Sequence, residues 1–187
     1  INAIPHSGLS NASVCYEAPV EGCITRIMGI FENYDDLKKI GSIRSCRIYY
    51  CYFALEWDAI YVHFGQSKYA LDFLKSDKID NVGSYQSVAN SIFFRTTDRV
   101  APHNCFIDGA GIKKGIKELG YRKNYKKDYN SHFQFADEGT KVDLASKKIA
   151  NKVELGYPVN KPWFEYDAAT GLYKRFQYGK AHIDDQN

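Results

Sequence analysis

Alternation of apolar and polar positions predicts two neighbouring strands near the start of the chain. Residues 13–18 and 24–31 alternate in this way, and a turn containing Pro19 and Gly22 separates them. Because successive side chains of a strand point to opposite faces, positions 24, 26, 28 and 30 share one face. Arg26 is the odd member of that otherwise apolar row.

The middle of the chain shows helical patterns between strand patterns. Residues 46–56 are apolar on almost every side and predict a buried helix, although their aromatic and β-branched content leaves a strand open. Residues 60–64 predict a central strand, and residues 68–75 predict a helix that Ser67 caps. The remaining expected elements are a short helix at 35–39, a strand at 91–96 and an amphipathic helix at 110–119.

The pattern changes after residue 120. Residues 121–132 are polar, basic and without a period, which predicts an exposed connection. Strand patterns return at 149–155, and residues 164–167 and 172–179 predict a hairpin around a short turn. We therefore expect an α+β fold, with a mixed, mainly antiparallel sheet, helices packed on it and a C-terminal β-hairpin.

Length and charge narrow the classes of protein. A chain of 187 residues fits one domain with a fragment of a second. We expect a main α+β domain over 1–150 and a β-rich segment over 151–187 that begins, or leads to, a further domain. The net charge of +3, from 25 basic and 22 acidic residues, is too balanced for a nucleic-acid binder. The longest apolar stretch is far short of the roughly 20 residues of a membrane span, which predicts a soluble module.

The five cysteines, an odd number, leave at least one thiol unpaired. None forms a C-x-x-C pair, and no histidine lies at zinc-finger spacing. Cys15 and Cys23 would form a disulfide if they faced each other across the first hairpin; the alternative is that they are small core residues. Cys46 and Cys51 lie in the most apolar segment, so we expect both to be free and buried.

Polar residues gather in four short clusters beside predicted strand ends, and none of the strong catalytic or nucleotide-binding motifs is present. The clusters hold, in order, Glu17, Glu21, Thr25 and Arg26; Arg44, Ser45 and Arg47; His63, Gln66 and Ser67; and Arg95, Asp98, Arg99, His103 and Asn104. Loops and strand ends of such folds often gather binding sites, so we expect Glu17, Arg26, Arg44, Arg47 and His103 to lie close together.

Five segments, in this order and spacing, resemble the YerB-like family of bacterial lipoproteins: SGLSNASVCYEAPVEGCITR, IGSIRSCR, ALEWDAIYVHFG, APHN and FEYDAATGLYKRFQYGKAHID. The resemblance implies an extracytoplasmic protein at the cell surface, anchored by an N-terminal lipid upstream of Ile1, and it implies no biochemical role. Its recurring polar positions fall on Glu17, Glu21, Thr25, Arg26, Arg44, Ser45, Arg47, His63, His103 and Asn104. Cys15 and Cys23 depart from the family pattern, which argues against a family-wide role for these thiols.

Several interpretations of these positions stay open. Guanidinium groups at Arg44 and Arg47, just before a predicted helix, are suited to bind an anion, with Arg26 and His103 assisting. Alternatively, Glu17 or Glu21 pairs with Arg26 or Arg44 in a network of a purely structural, partner-binding domain. A third interpretation is an envelope enzyme acting on a phosphate- or carboxylate-bearing substrate, with Glu17 or Glu21 as the general base. No metal or cofactor is predicted.

The basic run around residues 113–127 most simply forms a solvated face. Its functional alternative is docking to an anionic surface, such as a phosphate-bearing wall polymer or lipid headgroups. Taken together, the leading prediction is an envelope binding or accessory module with an anionic ligand. Oligomeric state and ligand identity do not follow from the sequence.

Overall fold

The structure, a computed structural model, describes residues 2–131, 133–137, 139–140, 142 and 148–186. The helices are α1 (Ile48–Glu56), α2 (Lys68–Leu74), α3 (Ala89–Ile92) and α4 (Gly109–Glu118). The strands are β1 (Val14–Pro19), β2 (Thr25–Ile30), β3 (Ile40–Gly41), β4 (Tyr61–His63), β5 (Asn81–Gly83), β6 (Phe93–Arg95), β7 (Cys105–Ile107), β8 (Lys152–Glu154), β9 (Trp163–Asp167), β10 (Leu172–Gln177) and β11 (Lys180–Ala181). The α+β class is confirmed.

Within the described ranges, the strands form four small sheets rather than one continuous sheet. Three of them are antiparallel: β1–β2, β3–β7–β6 and the C-terminal β11–β10–β9–β8. The fourth sheet is the parallel pair β4–β5. The prediction of mainly antiparallel pairing with a C-terminal hairpin is therefore confirmed. The strand expected at 60–64 is present as β4, but the prediction that it is central is wrong. Within the described residues, β5 is the only strand that pairs with it.

The first hairpin has the register that the sequence pattern predicts. Ala18 pairs with Arg26, and Glu17 pairs with Ile27. Because paired residues share a face and neighbours alternate, Arg26 and Glu17 lie on opposite faces of this hairpin. The face of Arg26 packs on α1, where Met28 contacts a core cluster that includes Tyr50.

The segment at 46–56 is a helix, as the leading interpretation of its pattern predicts. Its inner residues Tyr50, Cys51 and Ala54 are buried. The helix begins at Ile48 rather than at residue 46, because Cys46 forms a parallel bridge with Gln66. A second apolar cluster surrounds the amphipathic helix α4, whose first turn is capped by the Asp108 carboxylate through the Gly111 N–H.

Two predicted elements differ in the structure. The short helix expected at 35–39 is wrong: a single turn joins Tyr34 and Leu37, and the chain then enters β3. A helix of one turn gains too few hydrogen bonds to offset its nucleation cost. The strand expected at 91–96 is shorter, because α3 occupies its first residues and β6 begins at Phe93. Residues 121–131 form the expected irregular connection, and position 132 lies outside the described residues.

The C-terminal sheet is attached to the start of the chain through partly buried polar side chains. Arg175 Nη1 lies 2.6 Å from Nδ1 of His182, whose Nε2 lies 2.7 Å from Nδ1 of His6. The Asp184 carboxylate accepts hydrogen bonds from the backbone N–H groups of Gly8 and Ser10, each at 2.9 Å. The segment over 151–187 therefore packs on the remainder of the chain. In the described part of the chain, no helix has the length and apolar character needed to cross a bilayer.

The five cysteines are all free. Cys15 lies opposite Gly29 in the hairpin and Cys23 lies in its turn, so the two thiols do not face each other and the disulfide considered above is not formed. Both are exposed, whereas Cys46 and Cys51 are fully buried with their sulfur atoms 3.4 Å apart. The prediction for Cys46 and Cys51 is confirmed.

Thiol labelling of the native protein should divide the cysteines into two groups. Because reagents reach only accessible thiols, Cys15 and Cys23 should react within minutes, while Cys46, Cys51 and Cys105 should react only after unfolding. A disulfide-exchange reagent read at intervals, with peptide mapping, measures this. Labelling of Cys46 and Cys51 in the native state as fast as Cys15 would contradict the fold.

Stability should fall as the pH drops below 6.5, because of the two contacting histidines. Burial first, and then positive neighbours, lower the pKa of His6 to about 4 and that of His182 to about 3. Below pH 6.5 these histidines bind protons in the unfolded chain but stay neutral in the folded protein, so acid favours unfolding. Each histidine should cost about 1.4 kcal/mol of unfolding free energy by pH 5.5.

Urea denaturation at pH 7.5 and pH 5.5, above the range where most carboxylates titrate, measures this loss. The double variant His6→Gln, His182→Gln should lose roughly 1–3 kcal/mol less than the unmodified protein over this interval. An unchanged pH dependence in the variant would show that these histidines do not carry it.

Candidate functional site

A cavity of about 980 Å³ opens along strand β2. Its walls are the whole of β2 with its flanks, residues 40–45, residues 57–62 and the inward face of α1. More of the wall surface is apolar than polar. One group of polar residues consists of Arg26, Arg44, Ser45 and His103, and the other charged residues of the lining are Glu32, Asp58, Arg122 and Lys123. A large, mainly apolar concavity with few polar groups is the usual form of a ligand site.

Two arginines with no carboxylate partner line this cavity. The Arg26 guanidinium donates to the Ser45 carbonyl oxygen, and the Arg44 guanidinium donates to the Pro102 carbonyl oxygen. Among the described residues no Asp or Glu lies within ion-pair distance of either group. Both guanidinium groups are thus fixed by neutral dipoles and keep their positive charge.

The arginines also act on each other. Burial lowers the pKa of Arg44, and the positive charges of Arg26 and Arg47 lower it further. Burial likewise lowers the pKa of Arg26, followed by the charge of Arg47, while the more distant Glu21 carboxylate acts in the opposite direction. Both residues stay charged at neutral pH, since arginine titrates far above it. The cavity therefore holds like charges close together, partly removed from water.

The segment that carries Arg44 and Ser45 is held by backbone contacts to the end of β4. The Phe64 N–H donates to the Arg44 carbonyl at 3.1 Å, and the Cys46 N–H donates to the Gly65 carbonyl at 2.9 Å. Gly65 has a φ of 83°, and a Cβ there would lie 2.7 Å from the Ser45 hydroxyl oxygen. Glycine is needed at this position for both reasons, so the local sequence FGQ fixes where the arginine segment lies.

His103 joins the arginine pair from a different loop. Its Nδ1 lies 3.2 Å from Arg44 Nη1, and because arginine only donates, Nδ1 is the acceptor and Nε2 carries the proton. Burial and the Arg44 charge lower the pKa of His103, so the ring is neutral at neutral pH. It adds a neutral N–H donor to the two cations.

Thr25 lines the cavity, but its hydroxyl belongs to a neighbouring network. It donates to the Glu17 carboxylate at 2.5 Å, and the Asn160 amide also reaches Glu17, at 2.8 Å. Arg175 pairs with the other Glu17 oxygen at 2.9 Å, and both side chains are largely buried. Glu17 therefore joins the C-terminal sheet to β1 and does not face Arg26.

Glu21 and Arg47 form a separate pair outside the cavity. The Arg47 guanidinium reaches both Glu21 oxygens, with distances of 2.5–3.0 Å. This contact lowers the pKa of Glu21 to about 2. Arg47 also donates to the Ser45 carbonyl at 3.4 Å, so the Glu21–Arg47 ion pair contacts the same carbonyl as Arg26.

His63 and Asn104 lie away from the cavity. His63 is fully buried, with Nδ1 2.7 Å from the Gly65 carbonyl and Nε2 3.2 Å from the Asn81 amide oxygen. Burial lowers its pKa, and both ring nitrogens are engaged within the core, so the role of His63 is structural. Asn104 accepts from exposed Arg95 at 2.6 Å and donates to the Thr96 carbonyl at 3.0 Å, which braces its loop.

The predicted site residues therefore converge only in part. Five of them line the cavity: Thr25, Arg26, Arg44, Ser45 and His103. The other predicted positions form structural ion pairs or hydrogen bonds away from it. Sequence reasoning missed the cavity walls and three buried polar groups on residues of that lining, on Ser7, Ser42 and Gln177, that have no hydrogen-bond partner among the described residues. The signal it did find was the charge of Arg26 in an apolar row.

Most of the basic run is paired rather than free. Lys113 contacts Asp35 at 3.3 Å, and Arg122 contacts Asp58 at 2.6 Å. Lys114 lies 3.8 Å from Glu118 in the next helical turn. Within the described ranges, no three His, Cys, Asp or Glu side chains are arranged to hold a metal ion.

Comparison with known proteins identifies relatives of this chain. Residues 1–122 match the family described as "Protein of unknown function (DUF3048) N-terminal domain". The Bacillus subtilis (strain 168) protein named "Putative lipoprotein YerB" is 32% identical over 163 residues, which cover 83% of this chain and 48% of the relative. The chain thus spans about half the length of that relative.

A solved structure agrees with this assignment. The crystal structure of the YerB protein from Bacillus subtilis superposes with a TM-score of 0.81 at 28% identity, covering 99% of this chain and 60% of the other. The family match is confined to the part that contains both cavity arginines. The resemblance noted in the sequence is confirmed, and the chain belongs to the DUF3048 family, through its N-terminal domain.

Proposed function

We propose that this chain is a binding module of an extracytoplasmic, lipid-anchored protein, and that it receives an anionic group in the cavity beside β2. The observation that carries the proposal is the pair of guanidinium groups, Arg26 and Arg44, that neutral carbonyls orient and that form no ion pair with any described carboxylate. An anion placed between them gains charge-assisted hydrogen bonds and relieves the repulsion between like charges.

The surroundings favour a ligand over a structural role for this pair. Two arginines with a structural role beside this site have carboxylate partners, Glu21 for Arg47 and Glu17 for Arg175. Those two pairs support the structural interpretation for their own positions only. Since Arg26 and Arg44 lack such partners in the part of the chain described, that interpretation does not explain them.

Binding is favoured over catalysis by the positions of the two candidate bases. Neither Glu17 nor Glu21 lines the cavity. Glu21, with a pKa near 2, is a weak base at neutral pH, and Glu17 is engaged by Arg175, Thr25 and Asn160. An enzyme that used either carboxylate would need a different arrangement of this site.

The compartment rests on the relative. The name of the Bacillus subtilis protein, "Putative lipoprotein YerB", supports a location of this chain outside the membrane. Acidic wall polymers, free phosphate and acidic peptides are anions of that environment. Each presents the phosphate or carboxylate oxygens that guanidinium groups bind well.

Anions should stabilise the folded protein through Arg44. A ligand at a hundred times its dissociation constant adds about 2.7 kcal/mol to the unfolding free energy, or roughly 5–10 °C in melting temperature for a chain of this size. Phosphate, sulfate and glutarate, compared with chloride at equal ionic strength, should raise the melting temperature. The Arg44→Gln variant should lose most of that rise.

Arg95→Gln is the matched control. Arg95 is exposed, contacts Asn104 and lies outside the cavity lining, so this variant removes the same charge and should keep the full response. If Arg44→Ala instead destabilises the protein strongly in chloride, and the unmodified protein responds to none of the anions, the pair is a strut and the proposal is wrong.

A further inference from the structure

Strand β2 has one edge that no other strand covers. It pairs with β1 on one side, and within the described chain it has no strand on the other. The Val20 N–H donates to the Ile24 carbonyl, which sets the alternation of the ladder: residues 24, 26, 28 and 30 direct their backbone groups to β1. The backbone groups of Ile27 and Gly29 therefore point to the open edge.

This open edge lies in the cavity rather than on the outer surface. All of β2 lines the cavity, and no hydrogen bond between described residues reaches the backbone N–H or C=O groups of Ile27 and Gly29. Both residues are half-buried. Partly buried backbone groups without partners cost free energy, and an added strand is the occupant whose own backbone matches their spacing.

A second open edge lines the same cavity. In the parallel pair β4–β5, the Tyr61 N–H donates to the Asp80 carbonyl, so the backbone groups of Val62 point away from β5. Two residues after Val62, on the same side of the strand, the Phe64 N–H donates a hydrogen bond to the Arg44 carbonyl. The segment that carries Arg44 and Ser45 thus lies where a further strand would pair with the end of β4. The cavity extends from there along the open side of Val62.

The charges of the cavity set the chemistry of the occupant. Arg26 is the second residue of β2, next to the turn of the hairpin. Arg44 lies in the segment that runs beside the end of β4. A strand lying along β2 would therefore end at, or pass, two cations without carboxylate partners. Most of the surface of the remaining walls is apolar, as at Ile27 and Met28, although Lys123 and the ion pair of Asp58 with Arg122 also line the cavity. The matching partner is an extended, largely apolar peptide that carries one carboxylate.

We propose that the cavity binds an extended peptide segment by strand addition to the open edge of β2, with a carboxylate of the peptide received by Arg26 and Arg44. This inference rests on the proposed function, because it uses the same arginine pair. The carboxylate is either a free C-terminus or an Asp or Glu side chain. The six residues of β2 are about 20 Å long, which corresponds to a peptide of about six residues.

Affinity selection from defined peptide pools tests the proposal. The probes are three random hexapeptide pools rich in Val, Ile and Thr: one with a free C-terminus, one amidated, and one amidated with a fixed Glu. We expect the immobilised protein to retain members of the first or third pool at least tenfold over the second. The pool that is retained identifies the source of the carboxylate.

Two changes distinguish strand addition from other modes of peptide binding. N-methylation of alternate amides in a retained peptide should weaken binding at least tenfold in one of the two alternation frames and little in the other, since only one frame faces β2. In the protein, Ile27→Pro removes an N–H that points away from β1. Met28→Pro removes an N–H that faces β1, and this variant shows the effect of disrupting the β1–β2 pairing itself. Ile27→Pro should lose peptide binding and keep the thermal response to phosphate.

The outcomes separate this inference from the proposed function. If no pool is retained, or if retention is insensitive to N-methylation in both frames, strand addition is wrong, even where phosphate still stabilises the protein through Arg44. If phosphate and the peptides both fail to bind, the proposed function is wrong as well. Hydrogen exchange supplies the readout that is independent of Ile27→Pro: a bound peptide should slow exchange at Ile27 and Gly29 more than at Met28.

Discussion

Backbone carbonyl oxygens, rather than carboxylates, position the two cations on which this account depends. The carbonyls of Ser45 and Pro102 orient Arg26 and Arg44 without neutralising them. A neutral acceptor orients a guanidinium group and leaves its positive charge uncompensated. A carboxylate would orient the group and also neutralise its charge. The site therefore exists only because the 44–46 segment and the loop before His103 present their carbonyls at this point.

That arrangement is supported by charges that are neutralised around it. Glu21 pairs with Arg47 behind the cavity, and Glu17 pairs with Arg175 on the opposite face of the first hairpin. These pairs fix β1, the start of α1 and the C-terminal sheet relative to one another. Arg26 and Arg44 are thus left without an ion pair among the described residues, although the net charge of the whole chain is only +3. Local geometry, not overall composition, makes the cavity cationic.

The sequence predicted the elements whose signal is local. The alternation at 13–18 and 24–31 located β1 and β2, and the apolar periodicity at 110–119 located α4. Strands β3 and β5 were not predicted, because two or three residues carry no periodicity and their pairing is set by distant segments. The helix expected at 35–39 failed because its residues favour a helix only if more than one turn can form.

The candidate site was predictable only in its most local features. Arg26 could be singled out because it interrupts an apolar row, and Arg44 because it precedes a helix. The partners could not be predicted: Glu17 is joined to Arg175 across 158 positions, and His103 meets Arg44 across 59. Pairings over such separations depend on packing of the whole chain, which no short pattern encodes.

The central claim is that Arg26 and Arg44 are oriented, uncompensated cations that share one ligand. Nuclear magnetic resonance of the arginine Nε–Hε groups during a phosphate titration tests it most directly, because each guanidinium reports separately. The account predicts that the Arg26 and Arg44 signals shift together, with a single dissociation constant, while the carboxylate-paired Arg47 and Arg175 stay unchanged. Equal small shifts at all four arginines, or no shift at Arg26 and Arg44, would contradict it.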